Sequence, residues 1–280
     1  MERNVRKKGN LMIFGTAFLW SFLGIITKIV SFNGLVVAGS TSLMALAVLI
    51  LFNRGRRLHW NGLAVLTGVV AAAMNLSFFL ANKYTTVANA IVLQYCSPVF
   101  VLLYYRFFQK RRLKKQQVGV VGLCLAGLVI FFANQLGSGN MFGNLLALFS
   151  GVTFAGCFYL NALPDNDPVC TQLVQHGLCA LAGLGSIVLS AGKFRDMGEW
   201  GIVLAGGLLC SGMAAELYAA GIQRTTALNA NLIAMSEVIM APLWSFVIFH
   251  EALGGMAALG AGLMIVAILY ETWFEARDLA

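Results

Sequence analysis

Two glutamates sit where a carboxylate is costly. Glu216 lies in the run GIVLAGGLLCSGMAAELYAAGI and Glu237 in NANLIAMSEVIMAPLWSF. A charged side chain near the centre of a membrane helix costs about 2.5–3.5 kcal/mol on insertion scales, so such residues face a bundle interior or a watery cavity. These two are the only acids expected well inside apolar runs, Glu237 near mid-run and Glu216 nearer one end. Each could bind a cationic group or hold a proton exchanged for substrate; the plain alternative is a protonated Glu bonded to a neighbouring helix. Gln94, Tyr95 and Ser97 cluster beside Pro98, and Asn75 and Ser77 share another run. Tyr218 follows Glu216 by two residues, which points it to a different helix face. Trp20 is mid-run rather than at an interface, placed to stack on a substrate, to sit over a cation, or simply to pack. The substrate-binding candidates are therefore Glu216, Tyr218, Asn75, Gln94, Tyr95, Trp20 and Ser97, with Glu237 for proton coupling. Tyr159 and His176 stand behind them, a lone histidine being more often a satisfied core residue.

The elements that must hold these residues follow from composition. The chain is 59% hydrophobic and 11% charged, with a mean hydropathy of +0.81, where soluble domains carry about 25% charged residues. A bilayer crossing takes about 20 apolar residues, and ten such runs fill the chain: 11–30, 35–52, 62–82, 87–108, 117–134, 142–162, 170–191, 200–221, 227–249 and 253–274. Unsatisfied backbone is not tolerated in lipid, so the runs must be helices, and the short loops leave no room for a soluble domain. The fold expected is an all-α integral membrane protein. The first run is too long for a signal-peptide core and no A-x-A-like site follows it, so it reads as a retained helix. Six cysteines form no C-x-x-C pair and read as small packing residues.

The net charge of +8 sets topology rather than a nucleic-acid partner. With the N-terminus inside, fifteen Lys/Arg fall in cytoplasmic segments, among them Arg3, Arg6, Lys7 and Lys8 and the loop KRRLKK (110–115), while only Lys83, Lys193 and Arg195 fall in outer loops. This is the positive-inside pattern, and it predicts a multi-pass protein of the cell membrane with both termini cytoplasmic.

One phrase is written twice. TTVANA occupies 85–90 and TTALNA 225–230, a spacing of 140 in a chain of 280. The same offset pairs Trp60 with Trp200, Leu113 with Leu253, Gly122 with Gly262 and Leu123 with Leu263. Five runs per half is an odd number, so the halves, 1–134 and 135–280, must face opposite ways. The charges agree: the loop after the fourth run is basic, whereas HEALGG (250–255) after the ninth carries no Lys or Arg. A 5+5 inverted-topology repeat is a construction many secondary transporters use for alternating access. The phrase itself predicts helix caps, Thr and Asn satisfying free donors at a helix start. Pro98 and Pro242 interrupt the fourth and ninth runs, and each predicts a helix kink.

Ten short helices in two fives resemble the drug/metabolite transporter superfamily, in its EamA-type branch. The likeness is carried by GTAFLWS (15–21), KYTTVANAIVLQYCSP (83–98) and QRTTALNANLIAMSE (223–237) followed by Glu251. The chain departs from the family pattern in having Val238 after Glu237, the proline coming at Pro242, and Arg111 where an acid is usual after the fourth run. The resemblance implies transport of a small organic metabolite such as an amino acid or amine, commonly by export.

Other classes lack their residues. No G-x-S-x-G occurs, HEALG (250–254) has Gly254 where a zinc-binding H-E-x-x-H needs its second His, and no nucleotide-binding motif precedes a helix. The chain thus reads as a non-enzyme, with no metal or cofactor, whose partners are a small molecule and the bilayer, as a monomer or homodimer. The second reading is a facilitative channel or exchanger for a small organic cation.

Overall fold

A computed structural model describes residues 2–189, 197–250 and 254–277, which contain helices and loops and no strand. The first half holds α1 (Glu2–Trp20), α2 (Leu23–Ile29), α3 (Gly34–Phe52), α4 (Gly62–Tyr84), α5 (Val87–Gln94), α6 (Ser97–Phe107) and α7 (Lys115–Phe131). The second holds α8 (Met141–Asn161), α9 (Pro168–Leu189), α10 (Met197–Gly206), a π-helical stretch Gly207–Met213, α11 (Ala214–Ile222), α12 (Ala227–Ala234), α13 (Ser236–Phe249) and α14 (Gly255–Arg277). Among the described residues eight stretches are long and apolar enough to cross a membrane, four of them built from two or more consecutive elements, and α7 adds a shorter apolar helix. Exposed Leu, Phe, Val and Ile side chains cover the outside of the bundle, as a lipid-facing surface requires.

The repeated phrase caps two helices. Thr86 Oγ1 accepts the Asn89 N–H at 3.1 Å to start α5, and Thr226 Oγ1 accepts the Asn229 N–H at 3.2 Å to start α12. The two helices occupy 87–94 and 227–234, an offset of 140 at both ends. Each asparagine then reaches a second chain segment. Asn89 Nδ2 donates to Gly137 O at 2.8 Å and its Oδ1 accepts the Gly137 N–H at 3.2 Å, while Thr85 Oγ1 donates to Asn144 Oδ1 at 2.6 Å. Asn229 Nδ2 donates to Asn10 Oδ1 at 3.0 Å, and Thr225 Oγ1 donates to the same Asn10 oxygen. Asn10 and Asn144 each follow a glycine that lets the chains touch: a Cβ on Gly9 would lie 2.6 Å from Arg224 Cβ, and one on Gly143 would lie 2.7 Å from Thr85 N. A second repeated word, GNL at 9–11 and 143–145, was thus the partner of the first.

The two clamps lie at opposite ends of the bundle. Asn144 opens α8, whose 21 residues span about 30 Å at 1.5 Å per residue. Past its far end, Asn166 O accepts from Gln223 beside the Asn10 clamp. Arg6 and Glu275 approach to 3.7 Å on that same face, so it carries both chain ends and is called here the termini face. Between the faces α4 packs on α8 and α9, α3 on α9, α1 on α11 and α12, and α7 on α14.

Glycines set the closest crossings. A Cβ on Gly183 would fall 2.3 Å from Gly39 Cα where α9 crosses α3, and one on Gly260 would fall 2.4 Å from Gly127 O where α14 crosses α7. Small residues permit such backbone approach in membrane bundles. Gly183→Leu is expected to abolish the folded, monodisperse protein in detergent, whereas Gly122→Ala, with nothing within 4 Å of the new Cβ, should leave the unfolding temperature within experimental scatter; equal unfolding temperatures for both variants would refute the crossing.

Candidate functional site

Besides the first span, interrupted between Trp20 and Leu23, two transmembrane helices are broken at corresponding places of the two halves. One stops at Gln94 and restarts at Ser97; the other stops at Ala234 and restarts at Ser236. Pro98 sits in the first turn of α6, where its missing N–H costs little, and that same missing donor is why α5 cannot run on. Pro242 lies inside α13, and the break in that pair falls seven residues earlier, at Met235. There Ser236 Oγ donates to Ile233 O at 2.7 Å and takes up one freed carbonyl.

The breaks meet each other. Tyr95, at the end of α5, donates its hydroxyl to Glu237 Oε2 at 2.8 Å. Ser97 Oγ donates to Asn231 Oδ1 at 3.0 Å. Asn231 is wholly buried and its Nδ2 donor has no acceptor among the described residues. The crossing therefore brings together Tyr95, Ser97, Pro98 and Glu237 and adds Asn231, which sequence reasoning passed over because one asparagine in NANLIA looks like helix filler.

An aromatic chain runs into the crossing. Ring centroids step from Trp20 to Tyr218 at 6.0 Å, to Phe158 at 5.5 Å, to Phe154 at 5.0 Å and to Tyr95 at 5.6 Å. Phe154 and Phe158 are four residues apart on one face of α8 and were hidden among the chain's twenty phenylalanines. Tyr218 donates to Cys157 O at 3.3 Å and accepts from Asn161 Nδ2 at 3.4 Å. Trp20 and Tyr218 are thus tied through packed rings to Glu237.

The remaining candidates lie elsewhere. Gln94 Nε2 donates to Met74 Sδ at 3.5 Å, and Asn75 Nδ2 contacts Cys179 Sγ at 3.9 Å, both on the α4 side. His176 Nδ1 pairs with Ser42 Oγ at 3.2 Å between α9 and α3. Glu216 accepts a short hydrogen bond from Asn53 Nδ2. Asn53 in turn accepts from Arg56 at 3.4 Å, and Arg56 pairs with buried Asp167 at 3.4 Å. Glu216 accordingly belongs to a polar network toward the termini face, separate from Glu237. Glu251 lies outside the described residues.

Beyond Glu216 and Glu237, which were expected well inside their runs, the bundle buries two further acids around the end of the last run. Glu271 is 1% exposed and Glu275 8% on α14. Glu271 accepts a short hydrogen bond from Gln116, and Glu275 one from Thr226 beside its Arg6 pair. The signal was in YETWFEAR (270–277), which straddles the end of the last run; a basic N-terminal arm and a polar α7 start allow it to be buried.

Comparison with known proteins places this arrangement. The EamA-like transporter family matches residues 7–133 and again 138–272. The chain belongs to the EamA-like transporter family. The resemblance to the drug/metabolite transporters holds over the whole chain, and the protein is a multi-pass helical membrane protein. The biotin transporter of Escherichia coli K12 is 25% identical, over 94% of this chain and 93% of that one. An uncharacterized transporter, YxxF, of Bacillus subtilis is 25% identical over 50% of this chain and 47% of its own. A protein of known crystal structure superposes with a TM-score of 0.83 at 21% identity, over 98% of this chain and 99% of that one, and shares the fold.

The Tyr95–Glu237 bond makes a testable pair. Tyr95→Phe leaves a carboxyl without its donor, at a cost of about 1–3 kcal/mol. In thermal unfolding of the purified transporter, Tyr95→Phe and Glu237→Gln should each destabilise, and the double variant should lose less than the two effects combined, with a coupling of at least about 0.5 kcal/mol. Additive losses would mean that the two side chains do not interact.

Proposed function

We propose that the chain is a secondary-active carrier of a small organic solute, working by alternating access through ten crossings in a 5+5 inverted repeat, with both termini cytoplasmic. The observation that carries this is the meeting of two half-helices, broken at positions 140 residues apart, through Tyr95–Glu237 and Ser97–Asn231. Discontinuous helices in corresponding places of two halves are where such carriers bind solute. The packing supports the repeat: if each first-half helix is exchanged for its second-half counterpart, α4 on α8 becomes α11 on α1, α5 on α8 becomes α12 on α1, and α3 on α9 and α7 on α14 map onto themselves. Two successive family matches support the same division.

Glu237, bonded to Tyr95 at the end of an aromatic chain that runs through Phe154 from Trp20, favours an amino group or organic cation, held by a carboxylate and by ring faces. Proton coupling follows if Glu237 releases its proton when the solute arrives. Glu216, in the polar network toward the termini face, is the further candidate for contact, with Tyr218 and Asn75 as separate candidates on other faces. The second reading, a biotin-like solute, draws on the name of the E. coli relative.

Purified protein screened by thermal shift against amino acids, amines and biotin should be stabilised by an amine-bearing solute. Glu237→Gln should weaken that solute about ten- to hundredfold, the loss of a charge-assisted hydrogen bond worth about 1.5–3 kcal/mol. If Glu237 instead carries the coupling proton, the variant should keep exchange in liposomes and lose accumulation driven by a pH gradient. Stabilisation by biotin alone, unaffected by Glu237→Gln, would replace the cation reading with the second one.

Orientation and carrier behaviour are tested apart from chemistry. A single cysteine at Gly254 on a cysteine-free background should react with impermeant maleimide only from outside, and one at Lys110 only from inside; the reverse of either sinks the inverted repeat. Preloading liposomes with unlabelled solute should accelerate uptake of labelled solute, and flux indifferent to preloading would favour a channel.

A further inference from the structure

The two halves repeat in sequence yet do not pack alike, and a clear difference lies in one pair of half-helices. All eight residues of α12 are buried. It packs on α1, and also on α6, α8 and α14. Its counterpart α5 packs on α8 and α4, but the matching interfaces with α13, α1 and α7 are at most marginal among the described residues. The contacts in excess all lie on the termini face. Tyr105 Oη, on α6, accepts the Leu228 N–H at 3.3 Å, a first-turn donor with no partner inside its own helix. Thr272 Oγ1 on α14 donates to Asn229 Oδ1 at 3.0 Å. Thr226, Glu275 and Arg6 join the same collar. The repeat sets Leu228 against Ala88 and Tyr105 against position 245 in α13, yet α5 and α13 have at most a marginal interface among the described residues.

We infer that this conformation is shut on the termini face and parted on the other, and that the Tyr105–Leu228 bond is the latch of the shut gate. This rests on the alternating-access reading above. In the exchanged conformation α12 leaves α6, and α5 closes on α13, with Ala88 approaching position 245. The Asn10 and Asn144 clamps hold in both, so the moving bodies are not the two sequence halves. One joins α1, α11 and α12; the other joins α8, α4 and α5. They meet at the midplane through Tyr95–Glu237 and Ser97–Asn231, which become the pivot. Tyr105 is a positioning residue: it touches no solute and biases which face is open.

Electron–electron distance measurements in lipid nanodiscs test this without a known solute. Spin labels at Phe107 and Arg224 report the α6–α12 gate, and labels at Val87 and Ile248 report α5–α13; all four positions are exposed. The native cysteines are removed beforehand. Short distances for the first pair and long ones for the second should dominate, with a minor population in which both are exchanged. Tyr105→Phe should raise that minor population about two- to tenfold, as loss of one hydrogen bond dictates. Thr272→Val, which loosens the collar from α14, should shift it the same way and serves if Tyr105→Phe does not fold. Exchanging populations that neither variant moves would overturn the latch and leave the carrier intact. Long distances for both pairs at once would describe an open pore and overturn the alternating-access reading itself.

Discussion

The structure depends on how lipid treats a broken helix. A helix that stops halfway across a bilayer leaves backbone carbonyls and amides with no water to turn to, and such backbone survives only when protein covers it. Here the ends are covered from within. Pro98 removes the donor that Gln94 O needs, so α5 ends there, while Ser236 returns its hydroxyl to Ile233 O on the other side. The outer ends are held by Thr86 and Thr226, and Leu228 N–H borrows an oxygen from Tyr105. Two breaks that must both be buried are most economically buried against each other, and the polar groups exposed by one become the partners of the other.

That constraint also explains the division of labour between helices. The unbroken ones cross through glycine, as α3 does with α9 and α7 with α14, and supply close dispersion contact without polar groups. The broken ones carry the polar crossing of Tyr95 with Glu237 and Ser97 with Asn231. A membrane protein gains little from hydrophobic association inside lipid, so packing and hydrogen bonding must hold the bundle, and an apolar framework around a polar crossing is the arrangement that results. The aromatic chain from Trp20 to Tyr95 joins the two regimes: its rings pack as core, and its last hydroxyl reaches Glu237.

The two faces show what a repeat does and does not dictate. Each has an asparagine clamp with a preceding glycine and a threonine cap, so each starts from the same local instructions. They differ in what surrounds the clamp. On the termini face α14 brings Thr272 and Glu275, and the N-terminal arm brings Arg6. On the far face the partner of Asn89 is the backbone of Gly137. Related sequences with unrelated neighbours settle into different packings.

Membrane embedding, helical class, the caps of α5 and α12 and their spacing were all legible in the amino-acid sequence, because each is set by residues within a turn or two of one another, or by composition over about twenty. Tyr95, Ser97, Trp20, Tyr218 and Glu237 were legible as candidates for the same reason: a polar or misplaced aromatic residue in an apolar run is visible without knowing its partner. Their grouping was not. Tyr95 meets Glu237 across 142 positions and Ser97 meets Asn231 across 134, while Glu216, two residues from Tyr218, turns away to Asn53. Glu271, three residues from the end of the last run, was not singled out and is 1% exposed. Burial and pairing are properties of what packs on a residue from distant chain, and only the tertiary structure decides which neighbours arrive.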